Sequence, residues 1–187
     1  MSAELQRLID KDQIRDAMMR YARGCDRRQW DLARAAFFDD ATDHHGDFKG
    51  AIDDFFAWIK PQHAQVAKST HFLGNMLIEF ASDTVAAVET YFIANLELGP
   101  EAAGHRKQFV SDGGTESPGR IQLEVVGRYV DRFEKRDGEW RIAKRQVVFD
   151  LQQSQPLNGN VDDNPNWALG RRDEDDPVFG LRQTIGL

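Results

Sequence analysis

A chain of 187 residues can bury a sizeable core as one domain, and 41% hydrophobic and 29% charged residues are ordinary values for a globular protein. The net charge of −7 argues against nucleic acid and anionic membranes as partners, because both bind clustered basic residues. We find no signal-peptide core and no apolar run of membrane-spanning length, and the single cysteine, Cys25, excludes an intrachain disulfide. We therefore predict a cytoplasmic protein.

The first part of the chain has the spacing of amphipathic helices. Apolar residues three and four apart predict a helix over residues 3–25, with a candidate break at residues 10–12. A second helix is expected from about Asp31 through Phe37, followed by a short strand over residues 41–45. The third helix should cover residues 52–60 and end at Pro61, because the residue before a proline avoids helical geometry.

From residue 71 the pattern changes to the period of two that is typical of strands. Asp137-Gly138 predicts a tight hairpin, and Ser82-Asp83 a similar turn. Gly99–Gly119 reads as a long loop, of the kind that often forms a functional lid. Helices followed by a sheet define the α+β class. The four expected strands are His71–Phe80, Val85–Leu98, Ile121–Glu134 and Trp140–Asp150.

Residues 151–187 lose this periodicity but retain large apolar groups, among them Trp167, Val178 and Phe179. Such groups are costly to leave in water, so we predict an arm that packs on the domain of residues 1–150 or on a neighbouring subunit. The charge run from Arg171 to Asp176 is expected to stay at the surface.

Asp26 and His71 are candidates for acid–base chemistry. Asp26 ends the run Tyr21-Ala-Arg-Gly-Cys-Asp on the first helix, and His71 follows Thr70 at the start of a strand. An aspartate can hold an imidazole in one tautomer and stabilise its charged form, which makes the histidine a competent base. The alternatives are a core histidine bonded to a backbone carbonyl, and an aspartate that caps the helix or pairs with a neighbouring arginine.

The element order and these motifs resemble the SnoaL-like branch of the nuclear transport factor 2-like superfamily, over roughly residues 5–150. The resemblance implies a cystatin-like α+β cone, in which a curved, mainly antiparallel mixed sheet wraps round N-terminal helices and encloses a pocket. The two motifs are similar to those of scytalone dehydratase, bile-acid 7-alpha dehydratase and hexachlorocyclohexane dehydrochlorinase. In these lyases a His-Asp dyad removes a proton from carbon, which implies that His71 is the base and Asp26 its partner.

The same resemblance implies three further site residues. Tyr21 matches a dehydratase tyrosine that polarises a substrate oxygen, at a position that is lysine in the dehydrochlorinase. Arg145 ends a run similar to one that supplies a cavity arginine, and His45 precedes glycine as in other members. Taken alone, Tyr21 also fits a plain core position, and Arg145 also fits a surface or interface position.

No metal or cofactor is expected. His44 and His45 would point to opposite faces of a strand, and no HExxH, CxxC, GxGxxG or P-loop pattern occurs. Cys25 is predicted to be a packed thiol. His63 and His105 are predicted to be surface residues, although His105 would reach the pocket if its loop folded over it.

These observations predict a cofactor-independent, dehydratase-like lyase or isomerase acting on a small hydrophobic, cyclic hydroxylated or carbonyl compound. The alternative is a non-catalytic binding protein, or a subunit like the small subunit of ring-hydroxylating dioxygenases. A separation of His71 and Asp26 beyond hydrogen-bond reach would favour that alternative. Apolar residues on both faces of the strand from residue 71 also predict a homo-oligomer, either a trimer or a dimer.

Overall fold

The computed structural model describes residues 2–110, 119–159, 164 and 166–187. Within these residues the chain forms five helices and six strands. The helices are α1 (Ala3–Asp26), α2 (Trp30–Arg34), α3 (Ile52–Ala64), α4 (Ala103–Phe109) and α5 (Pro177–Thr184). The strands are β1 (Phe37–His45), β2 (Phe48–Ala51), β3 (Val66–Phe80), β4 (Val85–Leu98), β5 (Ile121–Arg136) and β6 (Glu139–Pro156).

The six strands form one curved mixed sheet in the order β2-β1-β6-β5-β4-β3. All neighbours are antiparallel except β1 and β6, which run parallel. Helices α1 and α3 pack across one face of this sheet and enclose the hydrophobic core with it. The α+β class and the cone of helices within a curved sheet are thereby confirmed.

Alternating burial fixes the orientation of the long strands. In β4 and in most of β5, every second residue is buried, and the residues between them are more exposed. This is the pattern of a sheet with only one face covered by helices. The hairpin at Asp137-Gly138 is also confirmed, because both residues have positive φ, 52° and 87°, as a two-residue type I′ turn requires.

The helical boundaries differ from the sequence prediction at three points. Helix α1 has no break, because Asp10 is engaged by Lys135 Nζ at 2.8 Å and Gln6 Nε2 at 3.0 Å. Helix α2 stops at Arg34, and Phe37 instead begins β1 by pairing with Ile142 of β6. Helix α3 continues through Pro61, which lies in its last turn and so removes only one intrahelical hydrogen bond.

Strand β4 has the predicted bounds, but β3, β5 and β6 are longer than expected. The region between β4 and β5 contains α4 rather than loop alone. Strand β3 begins at Val66, β6 continues to Pro156, and the short edge strand β2 was missed. The proposed lid of residues 99–119 is described only in part, because residues 111–118 lie outside the described residues.

The C-terminal arm contains charged anchors that the sequence interpretation placed at the surface. Arg172 and Asp176 are only 6% and 5% exposed, whereas Trp167 is 60% exposed. Asp176 is held by Arg27 Nε at 3.0 Å and by the Arg171 backbone N–H at 2.9 Å, and it caps α5 at Val178. The prediction for this charge run was therefore wrong for Arg172 and Asp176, whose hydrogen bonds to buried partners offset the cost of their burial, whereas the other four residues of the run are exposed as predicted.

Candidate active site

His71 and Asp26 form a hydrogen-bonded pair where the end of α1 meets β3. His71 Nδ1 lies 2.7 Å from Asp26 Oδ1, and the backbone N–H of His71 donates to Asp26 Oδ2 at 2.8 Å. Ser69 Oγ donates to Asp26 Oδ1 at 2.8 Å. The left-handed turn at Arg28, with φ 54°, and the bond from its guanidinium to Val66 O at 2.9 Å help join the two elements.

The Asp26 carboxylate is stabilised in its charged form. Burial raises its pKa, but the hydrogen bonds and charge of His71, together with the Ser69 hydroxyl, outweigh burial and hold the pKa below the ordinary value of 3.8. At neutral pH Asp26 is therefore an acceptor, so the Nδ1 of His71 carries the proton. In the neutral imidazole the lone pair is then on Nε2, which can accept a proton.

His71 lines a small cavity of about 50 Å³ between the sheet and helices α3 and α4. Four of the five histidines of the chain lie on its wall, together with one tyrosine. The remaining wall is almost entirely aromatic and aliphatic. The cavity is lined by His45, Trp58, Ile59, His63, His71, Phe92, Ala94, Leu96, His105, Phe109, Val125, Tyr129 and Phe149.

His63 and His105 are buried in this wall. The prediction of a surface position was wrong for His63, whereas His105 follows the stated alternative and reaches the cavity. Their rings meet edge to face, with centroids 5.1 Å apart. Burial, followed by the charge of Arg172, lowers the pKa of His105 to about 4. Burial also lowers the pKa of His63 well below 6.5, with smaller contributions from His105 and Arg172. Both imidazoles are therefore neutral at physiological pH.

His45 lines the cavity from β1. Its ring stacks on Phe55 with centroids 5.0 Å apart, and its Nδ1 lies 3.8 Å from Asp43 Oδ1, beyond hydrogen-bond reach. Neither His45 Nδ1 nor the Asp43 carboxylate has a hydrogen-bond partner among the described residues. The neighbouring His44 faces away and bonds to Gln146 at 2.7 Å.

Tyr21 and Arg145 are buried beside the cavity but do not line it. Arg145 donates from Nε and Nη2 to the two carboxylate oxygens of Asp131, each at 2.8 Å. Its guanidinium lies 4.2 Å from the ring centroids of both Tyr21 and Tyr129. Burial disfavours the charge, but Asp131 more than compensates and raises the pKa of Arg145. The phenol that reaches the cavity is Tyr129.

Several site residues gave no recognisable sequence signal. Tyr129 has the alternation of a strand, and His63 stands near the end of a helix, so neither carries a local motif. Only the wider topology brings them to the cavity. In the part of the chain that the structure describes, no three His, Cys, Asp or Glu side chains are arranged to bind a metal ion. No helix there has the length and apolarity of a membrane span.

Comparison with known proteins identifies the family to which the chain belongs. The SnoaL-like domain model matches residues 6–146, and the chain therefore belongs to this family, within the nuclear transport factor 2-like superfamily. No curated protein sequence matches the chain. The resemblance inferred from the motifs is thus confirmed at the level of the family.

Solved structures share the fold at low identity. The type 2 hexachlorocyclohexane dehydrochlorinase LinA is 18% identical, with TM-score 0.67, covering 88% of this chain and 100% of its own. A Novosphingobium aromaticivorans protein provisionally named scytalone dehydratase is 18% identical, with TM-score 0.61 and coverage of 83% and 92%. A Mycobacterium tuberculosis protein of unknown function is 19% identical, with TM-score 0.59 and coverage of 100% and 90%. Similarity at this level of identity establishes the fold but not the reaction, which has to be inferred from the site residues.

Proposed function

We propose that the protein is a cofactor-independent lyase or isomerase in which His71 removes a proton from carbon and Asp26 orients it. The observation that carries this proposal is the 2.7 Å bond between His71 Nδ1 and Asp26 Oδ1, on the wall of a mostly apolar cavity. Hydrogen-bond contact supports catalysis over the binding-only alternative, since a purely structural subunit has no need of an oriented imidazole.

A β-hydroxyketone fits this arrangement as the substrate class. His71 Nε2 would take the proton next to the carbonyl, and the C–H electron pair would pass into an enolate. Collapse of the enolate would form the new C=C bond and expel the β-hydroxyl group. The hydroxyl would take the proton from the His71 imidazolium and leave as water. Asp26 would stabilise that imidazolium between the two proton transfers.

The enolate oxygen needs hydrogen-bond donors. Burial raises the pKa of Tyr129, so this phenol keeps its proton and can donate from the cavity wall. His45, with its unpartnered Nδ1, is a second candidate. The roles first expected for Tyr21 and Arg145 remain predictions. We propose that these two residues support Tyr129 from behind. The Arg145 guanidinium, held by Asp131, lies over the Tyr129 ring, and the Tyr21 ring meets the Tyr129 ring edge to face.

The small volume of the cavity implies that a substrate displaces part of the wall. A volume of about 50 Å³ holds one or two water molecules, whereas ligand pockets usually measure roughly 300–1,000 Å³. Helix α4 contributes His105 and Phe109 and has only seven residues, so it is the part of the wall that we propose to move. The aromatic lining favours a hydrophobic ring as the remainder of the substrate.

Mutation of the dyad tests this function. Small cyclic β-hydroxyketones should be screened for conversion to the conjugated enone, whose ultraviolet absorbance reports turnover directly. With a substrate in hand, His71→Ala and Asp26→Asn should each lower kcat/KM by roughly 10²-fold or more, since both disable the base.

His44→Ala is the matched control. It removes a histidine of β1 whose ring bonds to Gln146 outside the cavity, and it should retain activity. Undiminished turnover by His71→Ala would refute the mechanism. A ligand that binds in the cavity without conversion under any condition would favour the binding-protein alternative.

A further inference from the structure

The guanidinium of Arg172, in the C-terminal arm, is buried next to the proposed site, and all five of its N–H groups form hydrogen bonds there. Its Nε donates to Asp26 O at 2.9 Å, and its Nη2 donates to Cys25 O at 2.9 Å. Its Nη1 donates to His63 O at 3.1 Å and to Val66 O at 2.8 Å. The fifth bond joins Nη2 to the ring nitrogen Nδ1 of His63 at 2.9 Å.

The fifth bond fixes the protonation of His63. A guanidinium can only donate, so His63 Nδ1 must accept and cannot carry a proton. A neutral imidazole has one N–H, which is then at Nε2. Protonation of the ring would place a proton against the guanidinium and break this bond, which would leave two buried cations in contact.

We propose that Arg172 locks His63 as a neutral imidazole whose Nε2–H donates a hydrogen bond to the substrate oxygen that gains negative charge. The inference rests on the proposed function and adds a donor to it. His63 lines the same cavity as His71, and the one ring hydrogen bond described for it is that between Nδ1 and Arg172. A neutral donor suits this task because it does not compete with His71 for the abstracted proton.

The charged and titratable groups around His63 all favour the neutral form. Arg172 contacts it from the arm, and His105 of α4, His71 of β3 and His45 of β1 each disfavour a further positive charge. The ring also meets Trp30 edge to face, with centroids 5.6 Å apart. No carboxylate contacts the ring among the described residues.

Arg172 contacts both the proposed donor, His63, and the end of the helix that carries Asp26. The same side chain holds the carbonyls of Cys25 and Asp26, which end the helix that presents the dyad carboxylate. The family match ends at residue 146, so this contact comes from a segment beyond the matched domain. We therefore assign Arg172 as a positioning residue for both His63 and Asp26.

Nitrogen NMR of the intact wild-type protein tests the tautomer without any substrate. The His63 Nδ1 resonance should be that of an unprotonated nitrogen and Nε2 should carry the proton, without change from pH 8 to pH 5. The His63→Gln spectrum assigns the signals by their loss. A proton on Nδ1, or a His63 that titrates above pH 6, would overturn the proposal whatever the enzyme is found to do.

Kinetic variants then separate the donor from the base. His63→Phe should lower kcat by about 10²-fold, as expected for the loss of an oxyanion donor, and His63→Gln should recover part of it through its amide N–H. Arg172→Met should mix the His63 tautomers and lower kcat, with Arg172→Lys intermediate. Arg171→Met is the control, because Arg171 is exposed and pairs with Asp173.

These experiments distinguish failure of the role proposed for His63 from failure of the proposed function itself. If His71→Ala abolishes turnover while His63→Phe retains full kcat, the dyad mechanism stands and the role of His63 is refuted. If Arg172→Met does not fold, the wild-type NMR spectrum still decides the tautomer. A wild-type tautomer as proposed, combined with lost kcat in His63→Phe and partial rescue in His63→Gln, would establish the inference.

Discussion

The four cavity histidines have different environments, and these environments give them different chemistry. His71 faces a carboxylate that stabilises its charged form, whereas His63 faces a guanidinium that excludes charge. His105 has neither partner and is neutral through burial. In the proposed mechanism a base and neutral donors therefore share one cavity although their side chains are identical.

Buried neutral histidines make stability depend on pH. The unfolded His105 imidazole binds a proton near pH 6.5, but the folded one binds it only near pH 4. Acid therefore favours the unfolded chain, and the free energy of unfolding should fall between pH 6.5 and pH 4. The loss is at most about 1.4 kcal/mol per pH unit for each such group.

Urea unfolding of wild type, His105→Gln and His44→Gln at pH 7.5 and pH 5 measures this dependence. His105→Gln should reduce the difference between the two pH values and leave a remainder due to His63. His44→Gln should leave the difference unchanged, since His44 lies outside the cavity. Equal pH dependence in all three proteins would show that His105 binds protons equally in the native and unfolded states, and would contradict a lowered pKa.

The dyad was predictable from sequence, but most of its surroundings were not. Asp26 and His71 occupy short motifs with a family resemblance, and each sits at a helix end or strand start that the pattern also marks. His63, His105 and Arg172 lie far apart in sequence and carry no periodic or local signal. Their burial depends on α4 and the arm folding over the sheet, which is a tertiary outcome.

Among the elements, those with a strong internal pattern were predicted best. Strands β4 and β5 have alternating burial over most of their length, so the covered face shows directly in the sequence. The boundary between α2 and β1 has no such pattern. It is set by pairing of Phe37 with Ile142, more than one hundred residues further along the chain. Tertiary pairing there overrides helix propensity.

Helices α1 and α2 approach each other at Gly24, two residues before Asp26. A Cβ at this position would lie 2.6 Å from Ala33 N and 2.7 Å from Ala33 Cβ, closer than atoms can pack. We expect Gly24→Ala to force the helices apart and to lower the free energy of unfolding by about 1–3 kcal/mol.

Gly180→Ala in α5 is the matched control for denaturant unfolding. Gly180 is also helical, but nothing lies within 4 Å of its added Cβ. Alanine there should be neutral or stabilising by up to about 1 kcal/mol, from helix propensity alone. If the two variants have equal stability, the close contact of α1 and α2 is not a constraint on the fold.

At the scale of the whole molecule, the sheet face opposite the helices exposes a row of apolar side chains. Phe72 pairs with Ile93, Ile93 with Val126, and Val126 with Leu151, so the row crosses four strands. Phe72 is 67% exposed and Leu151 56% exposed. Leu77, Tyr91 and Val130 extend the same exposed surface.

An apolar surface of this kind marks a protein interface, and we expect it to be covered by further copies of the chain. Light scattering of the wild-type protein should give the mass of a dimer or trimer at micromolar concentration. Phe72→Glu with Leu151→Glu should shift the mass toward the monomer, because charges would replace the centre of the contact. Leu8→Glu, at an exposed apolar position on α1, should retain the wild-type mass. A wild-type protein that remains monomeric would contradict the prediction.

The single cysteine gives the molecule an internal reporter. Cys25 is buried beside Asp26, its carbonyl accepts from Arg172, and burial raises the pKa of its thiol to about 12. A thiol of this kind does not react until the end of α1 detaches from the arm. The rate at which a thiol reagent labels Cys25 in the native protein therefore measures how often the end of α1 opens, without a substrate or an engineered label.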